Sequence, residues 1–478
     1  DWCGMAELRS PSATRAVRAA PPDDEAPGGR CAFVTYGCRL NQYDTQAIRE
    51  ELEELGFAEV PEEEGSLDLV VVNSCTVTAR AGEKVEARVR ALGRRHPEAQ
   101  ILVTGCVTDE DRSRLLELPG VEHIVGNEEK DRIASIVRGV GSPGEERRRR
   151  ADRSIFRLGV RRFAGHTRAF VKVQDGCDSF CSYCIIPYLR GSSRSRAISD
   201  VVEEGRRVAE AGHREVVLTG IHLRQYGRDL GGDGGGQQEG LLDLLHALRA
   251  IEGLDRVRLS SIGERAFTPR FLEAFAEDGG LCPSFHIPLQ SGCDETLRRM
   301  GRDYSVEDYL ATIEAIRTAL PRAAISTDLM VGFPGEDDDE FHRSLETCER
   351  AAFSSMHVFP YSPRPRTRAA RLPGHVDASV KQERAVRARH LAESLGARDH
   401  SAEIGSCVDV LVERRGAGRL AGLSREGRRV EIPTESVGAE PPPRRGVELR
   451  ARVESAGMDR LQARWTRTEP WRSVGGVA

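Results

Sequence analysis

The feature that most constrains this 478-residue chain is an alternation of short apolar runs with amphipathic stretches, and it occurs twice. In residues 30–138, strand-like runs fall at Cys31–Tyr36, Leu67–Asn73, Gln100–Thr104 and Val121–Val125. Helical patterns over Asp44–Leu55, Arg80–Arg95 and Asp109–Leu118 separate them. Strands joined through helices pair in parallel, with the helices covering the sheet, so this part is expected to be an open parallel sheet. The second alternation occupies residues 168–400. Its strands are expected at Ala169–Val173, Glu215–Leu218, Arg256–Ser260, Ser284–Ile287, Ala324–Val331 and Met356–Phe359, with a closing helix over Ala378–Arg398. Six such units predict a partial TIM-like (β/α)6 barrel. From 404 to 466 the pattern changes to short strands, Val408–Val412, Arg429–Ile432 and Val447–Val453, between Gly-rich turns. That predicts a small OB-like β-barrel. The class is α/β with an all-β appendage. Residues 1–29 are expected to be disordered, 139–167 with its Arg147–Arg150 run a linker, and 467–478 a tail.

Charge and length limit the function classes. No apolar run approaches the ~18 residues needed to span a bilayer, and no signal segment is apparent, so a cytoplasmic protein without membrane contact is expected. The net charge is −5. It is unevenly spread: 14 Lys+Arg against 21 Asp+Glu in 30–138, 13 against 6 in 139–200, and 14 against 11 in 401–478. A basic middle and tail are compatible with RNA, although an Arg-rich surface is equally a solvated one. There are twelve cysteines. Secreted disulfide scaffolds are short, so metal or redox chemistry is the better account here.

Cys177, Cys181 and Cys184 form a CxxxCxxC loop directly after the first barrel strand. Barrel loops at that end of the strands hold active sites. Four thiolates would close a cubane for electron transfer; three leave one iron open. An iron of that kind can chelate the amino and carboxylate groups of S-adenosylmethionine, and the spacing is the radical S-adenosylmethionine signature. Cys38, Cys75 and Cys106 each follow a predicted strand of the first sheet. Sites in open α/β sheets form at the carboxyl ends of strands, so these three are expected to converge on a second three-cysteine site. Gly37 and Gly105 precede two of them and permit sharp turns. Cys3, Cys31, Cys282, Cys293, Cys348 and Cys407 have no ligand spacing and are taken as structural.

The segments Tyr36-Gly-Cys38-Arg-Leu-Asn41-Gln-Tyr-Asp44, Asn73-Ser-Cys75-Thr-Val-Thr78 and Thr104-Gly-Cys106 resemble the N-terminal domain of the methylthiotransferase family. Asp175-Gly-Cys177 through Cys184-Ile-Ile-Pro187-Tyr-Leu-Arg190-Gly191 resembles its radical core, as do Pro288-Leu-Gln290-Ser-Gly292 and Asp328-Leu-Met-Val-Gly332-Phe-Pro-Gly335-Glu336. The C-terminal segment resembles the RNA-binding TRAM domain. The resemblance spans roughly residues 30–466. It implies two 4Fe–4S clusters, on Cys177, Cys181 and Cys184 and on Cys38, Cys75 and Cys106. It also implies S-adenosylmethionine as cofactor, tRNA as partner, an electron donor such as flavodoxin or ferredoxin, and a sulfur donor.

In that family the first cluster reduces S-adenosylmethionine to release a deoxyadenosyl radical, and the auxiliary cluster is thought to deliver sulfur. No side-chain acid or base attacks an aromatic C–H, so no catalytic side chain is assigned. Tyr183, Thr219, Gly220, Ser261, Gln290 and Asp328 fall at or near strand ends and are candidate cofactor contacts. Arg190, Arg194 and Arg196 are candidates for phosphate or the cofactor carboxylate. Arg414, Arg415, Arg425, Arg428 and Arg429 are candidate RNA contacts.

Asp175-Gly176, Ile185-Ile186-Pro187 and His357-Val-Phe-Pro-Tyr-Ser362 resemble the branch that acts on N6-threonylcarbamoyladenosine at position 37 of tRNA. Tyr36 and Asp44 are more similar to the isopentenyladenosine branch. Other readings of the sequence are methylthiolation of a ribosomal-protein aspartate, a two-cluster electron carrier, and a zinc- or iron-containing RNA-binding protein without catalysis.

Overall fold

The structure, a computed structural model, describes residues 28–139, 154–230, 240–416, 418–437 and 443–466. Cys3, the Arg147–Arg150 run, the 467–478 tail and nearly all of the expected disordered segment 1–29 lie outside these residues.

The first sheet has five parallel strands in the order Phe57–Glu59, Gly29–Thr35, Leu69–Ser74, Gln100–Gly105, Val121–Val125. Every residue of Leu69–Ser74 is buried, as a central strand covered on both faces requires. The edge strand Phe57–Glu59 is an addition to the expected four. It has three residues, two of them exposed, and offers no alternation to read. The helix Arg39–Glu54 begins directly after Cys38, five residues ahead of Asp44. Asp44 is not an N-terminal acid complementing the helix dipole. It is buried and ion-paired with Lys130 and Lys172.

The six barrel strands follow one another in chain order. Arg168–Lys172, Glu215–Thr219 and Arg256–Leu259 form one parallel sheet; Ser284–His286, Ala324–Val331 and Ser355–Pro360 form the other. Bridges Val257–Leu281 and Ser261–His286 join the two. Among the described residues no pairing links the first strand to the last, so the barrel is open on that side. Alternate residues face out and in. Phe285 packs outward on Phe267 and Phe275, and Thr327 meets the Tyr309 hydroxyl, which turns the alternate residues His286 and Asp328 to the interior.

The second half of the expected linker is packed. Ile155, Leu158, Val160 and Phe163 are buried, and the Tyr43 hydroxyl donates to the Leu158 carbonyl at 3.1 Å. The N-terminal helix and the barrel therefore share one hydrophobic core.

Helix Ala378–Ala402 leads to a closed five-stranded barrel, ordered Cys407–Gly416, Arg419–Ser424, Arg429–Pro433, Leu461–Trp465, Glu448–Ala456. Two of its strands, Arg419–Ser424 and Leu461–Trp465, leave no clear mark in the sequence: Ala, Gly and Ser fill half of the first, and the second has five residues with Gln and Arg between its apolar ones. At Gly422 a Cβ would lie 2.2 Å from the Leu411 carbonyl, so only glycine lets the strands approach. The small barrel seats on the amino ends of the large barrel's strands. Arg168 Nε donates to Glu413 at 2.7 Å and Arg256 Nη2 to Glu448 at 2.6 Å.

Two of the expected RNA contacts belong to this seam. Arg425 pairs with Glu448, and Arg428 is buried with both arms on Asp399 at 2.8 Å. Their charges are spent on docking; Arg414, Arg415 and Arg429 remain exposed. No helix among the described residues is long and apolar enough to cross a membrane.

Candidate active site

Cys38, Cys75 and Cys106 stand just past three adjacent strand ends. Cys38 is the N-cap of helix Arg39–Glu54, in extended backbone. Cys106 donates its amide to the Ser74 carbonyl at 3.1 Å. Close approach depends on two left-handed glycines. A Cβ on Gly37 (φ +97°) would lie 2.7 Å from the Cys75 Cβ, and one on Gly105 (φ +98°) 2.4 Å from the Ser74 carbonyl. Asn41 latches the loops, its amide donating to the Tyr36 and Ser74 carbonyls at 2.8 Å each. Asn127 Nδ2 approaches the Cys106 sulfur at 3.8 Å. Burial pushes the Cys75 thiol up to about 11, so coordination is what would stabilise its thiolate.

Cys177, Cys181 and Cys184 ride on a loop pinned at both ends. The Cys177 amide donates to the Gly191 carbonyl at 3.1 Å, and the Ser182 amide to the Met300 carbonyl at 2.7 Å. Gln174 ties the loop to the next strand end: its Nε2 donates to the Gly176 carbonyl and its Oε1 accepts the His222 amide, both at 2.8 Å. Three groups approach the sulfurs: Arg302 Nη1 at 3.4 Å from Cys181, the Ser179 amide at 3.5 Å and His222 Nδ1 at 3.7 Å from Cys177. Burial pushes the Cys184 thiol up to about 12 and holds His222 down near 4, neutral at ordinary pH.

The donor sets fit iron–sulfur cubanes. Three thiolates sharing a single zinc would stand about 3.8 Å apart, given Zn–S near 2.3 Å. Among the described residues, the groups whose ligand atoms all lie within 4.8 Å of one another are two others, His286–Asp328–His357 and Cys293–Glu295–Glu340. Both cysteine triads are more open, as a cubane with iron at its corners needs.

Arg190 joins the two sites. It is 1% exposed, gives Nη1 to both Asp175 oxygens at 3.0 and 2.9 Å, and gives Nη2 to Asn41 Oδ1 at 2.8 Å. Asp175 also faces Lys172, which with Lys130 holds Asp44. Burial opposes the charge on Arg190, but Asp175, Cys106 and Cys38 keep it protonated. Arg190 is thus a brace between the cysteine loops and not the phosphate or cofactor contact expected. Arg196 is buried on Glu204 at 2.8 Å, and Arg194 reaches the Arg190 carbonyl at 2.8 Å and Glu128.

Thr219 and Gly220 close the second barrel strand beside Gln174. Tyr183 is half-buried against a small apolar cluster with Met300, Met330 and Phe333. Ser261 bridges to His286. Gln290 adopts φ +67° and leaves its buried Oε1 without a partner among the described residues, a polar atom available to a ligand. Asp328 accepts from His286 at 3.2 Å and His357 at 3.3 Å on the inner wall. His222, Arg302, Gln174 and Asn127 are not among the residues the sequence singles out. His222 follows Thr219-Gly220 closely enough that its strand-end position is a usable signal; the other three depend on tertiary contact.

Comparison with known proteins follows the same division. Residues 171–348 match the radical SAM superfamily and residues 30–126 match the uncharacterized protein family UPF0004. The chain is 38% identical over 386 residues to the threonylcarbamoyladenosine tRNA methylthiotransferase MtaB of Chlamydia pneumoniae, covering 81% of this chain and 87% of that protein. It is 37% identical over 412 residues to the tRNA-2-methylthio-N(6)-dimethylallyladenosine synthase of Parafrankia, covering 83% and 82%. The radical S-adenosylmethionine methyltransferase TsrM of Kitasatospora setae, solved with cobalamin and a 4Fe–4S cluster, shares the fold at a TM-score of 0.51 and 16% identity, covering 71% of this chain and 77% of that one. With two cysteine sites at strand ends, an open barrel and relatives of this identity along most of its length, the chain belongs to the radical S-adenosylmethionine tRNA methylthiotransferases.

Proposed function

We propose that the substrate is N6-threonylcarbamoyladenosine at position 37 of tRNA, methylthiolated at C2, and that each cysteine triad holds a 4Fe–4S cluster. The carrying observation is the character of the barrel interior. Relatives of the threonylcarbamoyl and dimethylallyl branches are similarly identical to this chain, so identity alone does not choose between them. A prenyl group needs an apolar lining, whereas the inner wall of the second sheet carries the hydrogen-bonded group His286, Asp328 and His357.

Cys177, Cys181 and Cys184 would hold one iron–sulfur cluster and Cys38, Cys75 and Cys106 a second, which would supply one-electron cleavage of S-adenosylmethionine and a store of sulfur. The chain's own residues bind and orient. Arg302 and the Ser179 amide offset thiolate charge. Gln174 fixes the cysteine loop against Thr219 and Gly220, which with Tyr183, Ser261, Gln290 and Asp328 are assigned to S-adenosylmethionine. Arg190 keeps the two triads in one frame. Arg414, Arg415 and Arg429 are assigned to tRNA phosphates. An external electron donor and sulfur donor complete the cycle, and a cytoplasmic location accords with that supply.

The test presents anaerobically reconstituted enzyme with two tRNAs, one bearing each modification, and reads nucleosides by mass spectrometry. Methylthiolation of the threonylcarbamoyl tRNA is expected; methylthiolation of only the isopentenyl tRNA would overturn the substrate and leave the reaction class intact.

A further inference from the structure

Arg39, the first residue of the helix capped by Cys38, is exposed, and its side chain leaves the N-terminal domain to lie against the first barrel strand. Its guanidinium carbon stands 6.0 Å from the centre of the Phe170 ring, on the first barrel strand. It is within electrostatic reach of Arg168, Arg258 and Glu215 at the barrel floor, and of His357 on the last strand. It therefore spans the gap between the first and last strands, one residue from a ligand of the auxiliary site.

The charges around it are unbalanced. Glu215 is the carboxylate nearby, and it is fully engaged: Arg258 Nε donates to it at 2.7 Å, Arg256 at 3.5 Å, and Arg168 stands at 3.9 Å. Arg258 also donates to the Ser424 and Arg425 carbonyls, and Arg168 to Glu413. Each neighbouring guanidinium is thus satisfied. Arg39 has no hydrogen-bond acceptor or ion-pair partner among the described residues, only the face of Phe170. The exposed Arg39 fork is therefore open to a ligand, and the neighbouring guanidinia favour an anion there. Its planar fork suits a two-oxygen anion.

We propose that Arg39 is the subsite for the carboxylate of the base substituent, so that substrate specificity is set by the residue next to the auxiliary ligand Cys38. This rests on the substrate reading above. In this arrangement one short segment presents the auxiliary site to the purine through Cys38 and grips the substituent through Arg39, which couples recognition to the place of sulfur delivery.

The experiment uses the iron-reconstituted full chain and three anticodon stem-loops. These differ only at position 37: N6-threonylcarbamoyladenosine, its neutral methyl ester, and adenosine. Wild type is expected to bind the acid about 10- to 100-fold tighter than the ester, as one charge-assisted contact gives once the bound RNA covers it. In Arg39→Gln the acid and the ester should bind alike, at the wild-type affinity for the ester. Iron per chain, the electron paramagnetic resonance of the reduced protein and S-adenosylmethionine affinity should not change. Arg39→Lys keeps the charge without the fork and should retain part of the preference; it also serves if Arg39→Gln loses iron. Retention of the full acid preference in Arg39→Gln would overturn the proposal. Equal weakening toward all three loops would identify a backbone-phosphate contact instead, and a weaker S-adenosylmethionine affinity would identify the cofactor carboxylate; either also overturns it. A wild type that shows no acid preference and modifies only an isopentenyl loop overturns the substrate reading itself, a result read without any Arg39 variant.

Discussion

Arg190 shows how a residue's role is decided by its surroundings. In the sequence it is one arginine of three after the cysteine loop, and an anion contact is the natural reading. In the fold it is buried between Asp175, two residues before Cys177, and Asn41, three residues after Cys38, which fill its fork. Nothing in local spacing announces that Asn41, 149 positions away, completes the fork. Replacing Arg190 with Met leaves Asp175 buried and short of its main partner, which should cost about 3–5 kcal/mol in denaturant unfolding. Arg190→Lys, with charge but no fork, should fall between. A destabilisation below about 1 kcal/mol would show that the brace is dispensable.

Asp328 permits a pH prediction at the same scale. Its burial raises its carboxyl, but hydrogen bonds from His286 and His357 outweigh this and hold it well below the usual carboxylate range. The same bond to Asp328 raises His357 above 6.5. A raised histidine contributes stability below its unfolded value, and that contribution disappears as pH climbs through the raised value. The Asp328 contribution has the opposite sign and is lost only when pH falls through its depressed value. The pair is at full strength between the two unfolded values, above that of a free Asp and below that of a free His. Proton NMR should find His357 titrating above 6.5, and Asp328→Asn should bring it back down; an unchanged titration would sink the assignment.

At the scale of elements, delivery of ligands by strand ends is legible in the sequence, because parallel sheets place their sites there whatever the side chains do. All six barrel strands and four of the five sheet strands can be read from apolar runs. The short or small-residue strands, Phe57–Glu59, Arg419–Ser424 and Leu461–Trp465, cannot, since their pairing depends on neighbours and not on their own pattern. The start of helix Arg39–Glu54 is likewise hidden, since its acidic residue serves an ion pair instead of the dipole. Packing at these elements makes the two cysteine sites separable. Gly37→Ala drives a Cβ onto Cys75 in a left-handed backbone, so reconstituted protein should fall from about eight irons per chain to about four. Changing Cys177, Cys181 and Cys184 together to Ala should also leave about four. The two variants should lose different halves of the spectrum; loss of the same half, or no loss in the triple variant, would refute the division into two sites.

At the scale of the molecule, charge that reads in the sequence as one basic surface resolves into two uses. Arg168, Arg256, Arg425 and Arg428 fasten the small barrel to the large one and to helix Ala378–Ala402, so counting arginines in 401–478 overstates the face offered to RNA. Arg414 and Arg429, on strands flanking Arg419–Ser424, stay exposed together with Arg415. Exposed guanidinia that touch phosphate displace counterions, and removing one such guanidinium should flatten the slope of log affinity against log salt by about 0.7–0.9. Changing Arg414, Arg415 and Arg429 together to Gln should therefore weaken tRNA binding most at low salt and reduce that slope by about two to three. Folding stability should hold, because none of the three is buried. Arg428→Gln should behave in reverse. It frees Asp399 from a docked, half-buried pair, so the thermal transition should drop and the small barrel should become sensitive to protease, while the salt slope of tRNA binding stays that of wild type. If both variants altered the slope equally, docking and RNA contact would be one surface, and the barrel would reach tRNA through the seam that now holds it to the catalytic domain.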